Sequence, residues 1–152
     1  MEFDQSEENQ HVTVSKFESM LKTNNVCFFD SNEFENIIHH YLENGKVSLA
    51  KKAIKLGLSQ HPSSLNLKLF QVEILIFENK LNEADRLLSP LFEIEPNNED
   101  VLLMLMKIAL KKSNYSKVKD LSIVFNKVCN KLCNESNDIE ESLKNIEPKN
   151  ES

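Results

Sequence analysis

The sequence predicts an all-α protein built from antiparallel helix pairs. In 152 residues it has 2 Gly and 4 Pro, too few for the hairpin turns of a many-stranded β protein. Apolar residues recur at helical spacing along most of the chain. A helix–turn–helix pattern also repeats with a period of 34 residues, which is the spacing between Pro62 and Pro96. With 40% hydrophobic residues, the chain is large enough to bury one ordinary core.

The N-terminal part is predicted to hold a tail and one helix. Residues 1–11 are polar and show no apolar period, so we expect them to be a disordered tail. Residues 12–22 are expected to form an N-terminal helix, because Val14, Phe17 and Met20 follow one helical stripe.

The next helix has clear start and stop signals. Asp30 and Glu33 have the spacing of a capping box, and Phe29 and Phe34 have that of the accompanying hydrophobic staple. Gly45 is placed to end this helix, because glycine adopts the left-handed conformation without steric cost.

Three helix–turn–helix units are predicted at about residues 31–64, 65–98 and 99–132, within a repeat domain over 12–134. A helix pair of this kind leaves one apolar face uncovered, so such units stack on their neighbours. The identical positions of the first two units are Asn32 and Asn66, Lys46 and Lys80, Ala50 and Ala84, and Pro62 and Pro96.

The first unit has an aromatic residue late in its first helix, a Gly near the turn, an Ala in the second helix and a closing Pro. These residues are Tyr41, Gly45, Ala50 and Pro62. Here the chain resembles the tetratricopeptide repeat (TPR) family, with about three repeats, the third degenerate. The resemblance implies a right-handed α-solenoid whose first helices line a concave, protein-binding groove.

The resemblance also implies which positions line that groove. They are Asn32, Glu35, Asn36, His39, Asn66, Leu69, Phe70, Glu73, Phe77, Leu103, Met104 and Lys107. Apolar side chains flanked by Asn and Glu suit an amphipathic helix, or an extended apolar segment that carries basic residues. Some relatives clamp a peptide's terminal carboxylate with cations, but Glu35 stands at one such position, so this mode of binding is not expected.

Two later segments carry their own predictions. Pro90 lies inside a predicted helix and removes a hydrogen bond to Arg86, which predicts a kink or an early end at Leu88–Ser89. Residues 135–152 are expected to form either a polar tail or a short capping helix, with 147–152 disordered. In the helical alternative one face carries Ile139, Leu143 and Ile146.

No catalytic motif is evident, and we predict a protein that is not an enzyme and holds no cofactor and no metal. Gly-rich phosphate loops, zinc-type Cys/His spacing and a nucleophile elbow are all missing from the sequence. Cys129 and Cys133 are interpreted as small apolar side chains on one face of the last repeat helix, and Cys27 likewise. An odd cysteine count without a secretion signal indicates reduced thiols.

The charge and hydropathy exclude two classes of partner. The net charge is −6 and Arg86 is the single Arg, which argues against nucleic-acid binding. No apolar run approaches the ~20 residues that span a membrane, so no membrane partner is expected and the chain is predicted to be cytoplasmic.

The predicted function is therefore that of a protein–protein interaction module, which binds a peptide or helix of a partner protein in its groove. Two alternatives remain at this point. One is a structural or self-assembly role, in which Val124, Val128 and Leu132 let the C-terminal repeat stack on a second copy to form a homo-oligomer. The other is that the chain is the N-terminal fragment of a longer TPR scaffold.

Overall fold

A computed structural model describes residues 5–146, and within them the chain forms eight helices and no strand, which confirms the all-α class. The helices are α1 (Gln5–Thr23), α2 (Ser31–Glu43), α3 (Val47–Gln60), α4 (Leu65–Phe77), α5 (Leu81–Ile94), α6 (Glu99–Lys111), α7 (Tyr115–Val128) and α8 (Cys133–Ile146). In the described range no helix is both long and apolar enough to cross a bilayer. The predictions for residues 1–4 and 147–152 lie outside the described residues.

The helix starts follow the period predicted from the sequence. One series begins at Ser31, Leu65, Glu99 and Cys133, and the other at Val47, Leu81 and Tyr115, so each start lies 34 residues after the one before it. By contacts the chain divides into two units, the first ending at Gln71 and the second beginning at Val72, and α4 contributes to both.

An aromatic cluster fills the core of the first unit. The buried Phe17 ring of α1 lies 6.2 Å from Phe29 and 6.0 Å from Tyr41, and Phe29 lies 5.4 Å from Phe34. The Tyr41 hydroxyl donates a hydrogen bond to the Glu18 carboxylate at 3.2 Å. Burial, together with the negative charge of Glu18, raises the pKa of Tyr41 to about 12. These contacts hold α1 against α2.

The N-terminus of α2 has the predicted cap. The Glu33 N–H donates to the Asp30 carboxylate at 2.8 Å, and the Asp30 N–H donates to the Glu33 carboxylate at 2.8 Å. The Phe29–Phe34 contact supplies the staple, so both features are confirmed.

The turn inside each helix pair is closed by one residue with left-handed backbone. Gly45, Asn79 and Ser113 have φ values of 68°, 60° and 59°. The N–H of the next residue then donates a hydrogen bond to the carbonyl five residues before it. These bonds join Lys46 N–H to Tyr41 O at 2.8 Å, Lys80 N–H to Leu75 O at 2.8 Å, and Asn114 N–H to Ala109 O at 2.9 Å. This is the bonding of a Schellman-type helix end, which satisfies carbonyls that the helix itself leaves unpaired.

The core of the second unit is formed by α5, α6 and α7, with α8 against α6 and α7. Leu88 of α5, Leu102 and Met106 of α6 and Phe125 of α7 are fully buried. The C-terminal segment is a helix, the second of the two predicted alternatives, and it begins at Cys133. Its side chains Ile139 and Leu143 are buried and Ile146 is half-buried, the stripe that the sequence predicted.

Two local predictions need correction. Residues 5–11 are helical rather than disordered, because α1 begins at Gln5. The Gln10 amide donates a hydrogen bond to the Asn36 carbonyl at 3.4 Å, and two acidic residues in the first turn interact favourably with the helix dipole. Of the two outcomes predicted at Pro90, the early end does not occur, since α5 continues to Ile94, while the kink stays a prediction. Leu88 and Leu91 are buried on either side of Pro90, so the helix keeps its apolar packing where Pro90 has no N–H to donate.

Ser113→Gly is expected to stabilise the protein. A left-handed L-residue costs about 1–2 kcal/mol, whereas glycine loses about 0.5–1 kcal/mol of unfolded-state entropy, so the net gain is about 0.5–1 kcal/mol. Urea unfolding measures it. The matched control is Ser116→Gly in the first turn of α7, which should lower stability by about 0.5 kcal/mol. An equal loss in both variants would contradict the turn assignment.

Tyr41 is expected to make the protein sensitive to alkali. Its folded-state pKa of about 12 exceeds the unfolded value of 10.0, so its contribution to stability is complete below pH 10 and is lost as the pH rises from 10 to 12. In urea unfolding at a series of pH values, Tyr41→Phe should remove this part of the decline. Tyr115→Phe, which changes the second tyrosine of the chain, should leave it in place.

Candidate functional site

The exposed face of α2 carries the predicted groove residues of the first repeat. Asn32, Asn36 and His39 are exposed and Glu35 is half-buried. Residues three and four apart on a helix are neighbours on its surface, so the four side chains form one continuous patch.

The first part of α4 lies beside this patch and touches it at two places. The Asn66 side-chain amide donates to the Glu35 carboxylate at 3.0 Å. One helical turn further along both helices, the His39 ring meets the Phe70 ring edge-on at 4.9 Å. Six residues thus share one surface, which we call the α2–α4 surface: Asn32, Glu35, Asn36, His39, Asn66 and Phe70.

The adjacent histidines of α2 point to different neighbours. His39 faces Phe70 of α4, whereas the His40 ring lies 6.3 Å from His11 of α1. Among residues 5–146, no three side chains of the His, Cys, Asp and Glu types are grouped so that they could hold a metal ion.

Leu69 was predicted to line the groove but belongs to the core. It is only 6% exposed, while its neighbour Phe70 is half-buried and reaches the surface. Leu69 occupies the position of Glu35 one repeat later, so the same register is polar in one helix and apolar in the next. The sequence pattern alone does not distinguish a lining position from a packed one.

The predicted groove residues after Val72 differ in accessibility. Glu73 is exposed and Phe77 is 78% exposed, whereas Met104 and Lys107 are half-buried. Leu103 is only 4% exposed and belongs to the buried core. In this part of the chain α8 packs against α6, and the Lys107 ammonium lies 4.0 Å from the Glu135 carboxylate of α8.

An anion-holding turn, missed by the sequence analysis, lies between α7 and α8. The Glu99 carboxylate accepts hydrogen bonds from the N–H groups of Asn130 at 3.0 Å, Lys131 at 3.1 Å and Leu132 at 3.2 Å. These bonds, with that of Asn130 foremost, lower the pKa of Glu99. The neighbouring Asp100 has a raised pKa because of burial and the nearby charge of Glu99.

Cys129 and Cys133 form a disulfide across the same turn, which corrects the prediction of reduced thiols at these positions. Cys129 caps the end of α7 and Cys133 is the first residue of α8, so they do not share one helix face as predicted. Cys27 is a free, half-buried thiol. The four-residue spacing is visible in the sequence, but its meaning depends on α7 ending at Val128.

The chain matches no protein-family model, no curated protein and no solved structure.

Glu99→Gln is expected to lower stability above the ordinary carboxyl pKa of 4.5 and to have less effect as the pH falls below it. A carboxyl group whose folded pKa is depressed contributes stability above its unfolded pKa and loses it as the pH falls through the folded value. Urea unfolding of both proteins from neutral to acid pH measures the difference.

Asp100→Asn is the matched control for that experiment, because Asp100 has a raised pKa and its pH effect has the opposite sign. Lys131, Lys107 and Glu135 are the other charged groups that act on Asp100, and Lys131 also acts on Glu99. A constant difference between Glu99→Gln and the unchanged protein across the pH range would contradict the assignment.

Proposed function

We propose that the chain is a protein-interaction module that binds a partner peptide along the α2–α4 surface. The observation that carries the proposal is the double contact between α2 and the first part of α4, Glu35 to Asn66 and His39 to Phe70, which places these four side chains on one surface. Asn32 and Asn36 stay exposed next to these contacts.

The architecture that we propose is a right-handed, TPR-like solenoid. Two features support it: helix starts that repeat every 34 residues, and the same left-handed closing residue inside each pair at Gly45, Asn79 and Ser113. Repeats of this design present their first helices as a binding face, since the second helices cover the other side.

The chemistry of the surface favours an extended segment with basic residues. Asparagine amides both donate and accept hydrogen bonds, so Asn32 and Asn36 are suited to the N–H and C=O groups of an extended backbone. Glu35 supplies a carboxylate for a Lys or Arg side chain, and the Phe70 ring supplies an apolar contact. The net charge of −6 attracts a basic segment during encounter.

Self-assembly through the C-terminal repeat is the weaker candidate. Val124 is 37% exposed, whereas Val128 and Leu132 are half-buried, and α8 already packs against α6 and α7. Of the three predicted stacking residues only Val124 is exposed. We therefore propose peptide binding as the function.

Glu35→Lys is expected to weaken binding of a basic, apolar peptide about ten-fold or more, because it replaces attraction by repulsion and removes the acceptor for Asn66. Fluorescence anisotropy with a panel of labelled peptides, half of them with Lys replaced by Glu, measures the affinity. Phe70→Ala should weaken binding of the basic set as well, through loss of the apolar contact.

Glu93→Lys on α5 is the control, since it makes the same charge change at an exposed position outside the α2–α4 surface. It should alter affinity less than three-fold, roughly the effect of net charge alone. Equal binding of basic and acidic peptides, or equal losses in Glu35→Lys and Glu93→Lys, would overturn the proposal.

A further inference from the structure

The three turns that join one helix pair to the next segment are not alike. His61 after α3 has φ −130° and ψ 69°, and Glu95 after α5 has φ −128° and ψ 70°. In both turns the N–H three residues on closes the turn, with Ser64 donating to the His61 carbonyl at 3.1 Å and Asn98 to the Glu95 carbonyl at 3.2 Å. These two turns define a common geometry.

The third turn departs from this geometry. Cys129, the equivalent of His61 and Glu95, has φ −64° and ψ 137°. The Leu132 N–H, the equivalent of the closing N–H groups, donates to the Glu99 carboxylate instead. The disulfide between Cys129 and Cys133 spans this turn and no other.

A proline difference makes the alternative bonding chemically accessible. Pro62 and Pro96 follow the first residue of the other two turns and have no N–H. The third turn has Asn130 there, and its N–H donates to Glu99 at 3.0 Å. The donors that hold the Glu99 carboxylate are therefore a property of the third turn alone.

We propose that Cys129 and Cys133 are a reversible redox pair that switches this turn between two conformations. The disulfide holds the turn in the form whose N–H groups bind Glu99. In the dithiol form the turn takes the geometry of the other two, with the Leu132 N–H on the Cys129 carbonyl and the Glu99 carboxylate released. This switch is independent of the proposed peptide binding.

The oxidant is a low-molecular-weight disulfide of the glutathione class. The thiolate of one cysteine attacks a sulfur of that disulfide, which forms a mixed disulfide and releases one thiol. The second cysteine then attacks the protein sulfur of the mixed disulfide, which forms the Cys129–Cys133 bond and releases the second thiol. Two protein thiols are oxidised, one external disulfide is reduced to two thiols, and the two protons remain with the released thiols.

The position of the pair suits a local switch better than a structural staple. The cross-link closes a very short loop, so it removes less entropy from the unfolded chain than a disulfide across a long loop would. Both cysteines are half-buried rather than enclosed, which leaves them accessible to exchange. The bonds to Glu99 exist in the disulfide form only, and by linkage they stabilise the disulfide relative to the dithiol.

The switch acts on the attachment of α8. Cys133 is the first residue of α8, which also contacts α7 through the Asn126 amide and the Glu140 carboxylate at 3.0 Å. A change of backbone at Cys129 therefore alters the start of the helix that packs against α6 and α7. The turn, Glu99 and α8 all lie within the unit that begins at Val72.

Amide hydrogen exchange of the full chain, oxidised with glutathione disulfide and then reduced with a dithiol, tests the two conformations. On reduction we expect the N–H groups of Asn130 and Lys131 to exchange about ten-fold faster or more, because each loses a charge-assisted hydrogen bond. The Leu132 N–H should stay protected, because it then donates to the Cys129 carbonyl. Ser64 and Asn98 are internal references and should not change. Unchanged protection at Asn130 and Lys131 would overturn the proposal.

The linkage is tested by titration in glutathione buffers, with the disulfide measured as a mass loss of two hydrogens. Cys27→Ser removes the third thiol and should leave the midpoint unchanged. Adding Glu99→Gln should make the pair about ten-fold easier to reduce, the equivalent of one charge-assisted hydrogen bond. An unchanged midpoint in Glu99→Gln, or failure of the folded chain to form the bond, would refute the switch without bearing on peptide binding.

Discussion

The structure depends on one backbone constraint, the left-handed residue that closes the first helix of each pair. At Gly45, Asn79 and Ser113 the chain leaves the helix at positive φ and turns back with a bond from the next N–H to a carbonyl of the last turn. Without that conformation the first helix would continue, and the second could not fold back onto it. The apolar stripes of the two helices meet because the turn has a fixed length.

The helix pairs could be predicted from the sequence because their signals are local. Asp30 and Glu33 mark a helix start, Gly45 marks an end, and the recurrence of Ala50 and Pro62 one period later marks the repeat. The start of α1 could not be predicted in this way. Residues 5–11 have no apolar stripe, and Gln10 contacts the carbonyl of Asn36, a residue 26 positions further along the chain.

The candidate surface was predictable only in part, for a related reason. The α2 positions Asn32, Asn36 and His39 are polar, and polar residues on a helix face are mostly exposed. Leu69 and Leu103 were assigned to the same surface by register, but an apolar residue at that register is buried as soon as another helix covers it. One helix that packs against α6 is α8, which the sequence left undecided between a tail and a helix.

The junctions between pairs show how one geometry carries different chemistry. In the first junction the hydroxyls of Ser31 and Ser64 meet at 3.2 Å, 33 residues apart. At the same separation in the third, the Glu99 carboxylate accepts from the Leu132 N–H. The repeat preserves which positions meet, because helix length and turn length set that, but it leaves the side chains free to differ. Where the other two junctions have Pro, Asn130 has an N–H to donate, and the Glu99 carboxylate lies within reach of it at 3.0 Å. The third junction thus differs from the first two in its bonding, through Asn130 and the Cys129–Cys133 disulfide, while α7 and α8 remain helical on either side.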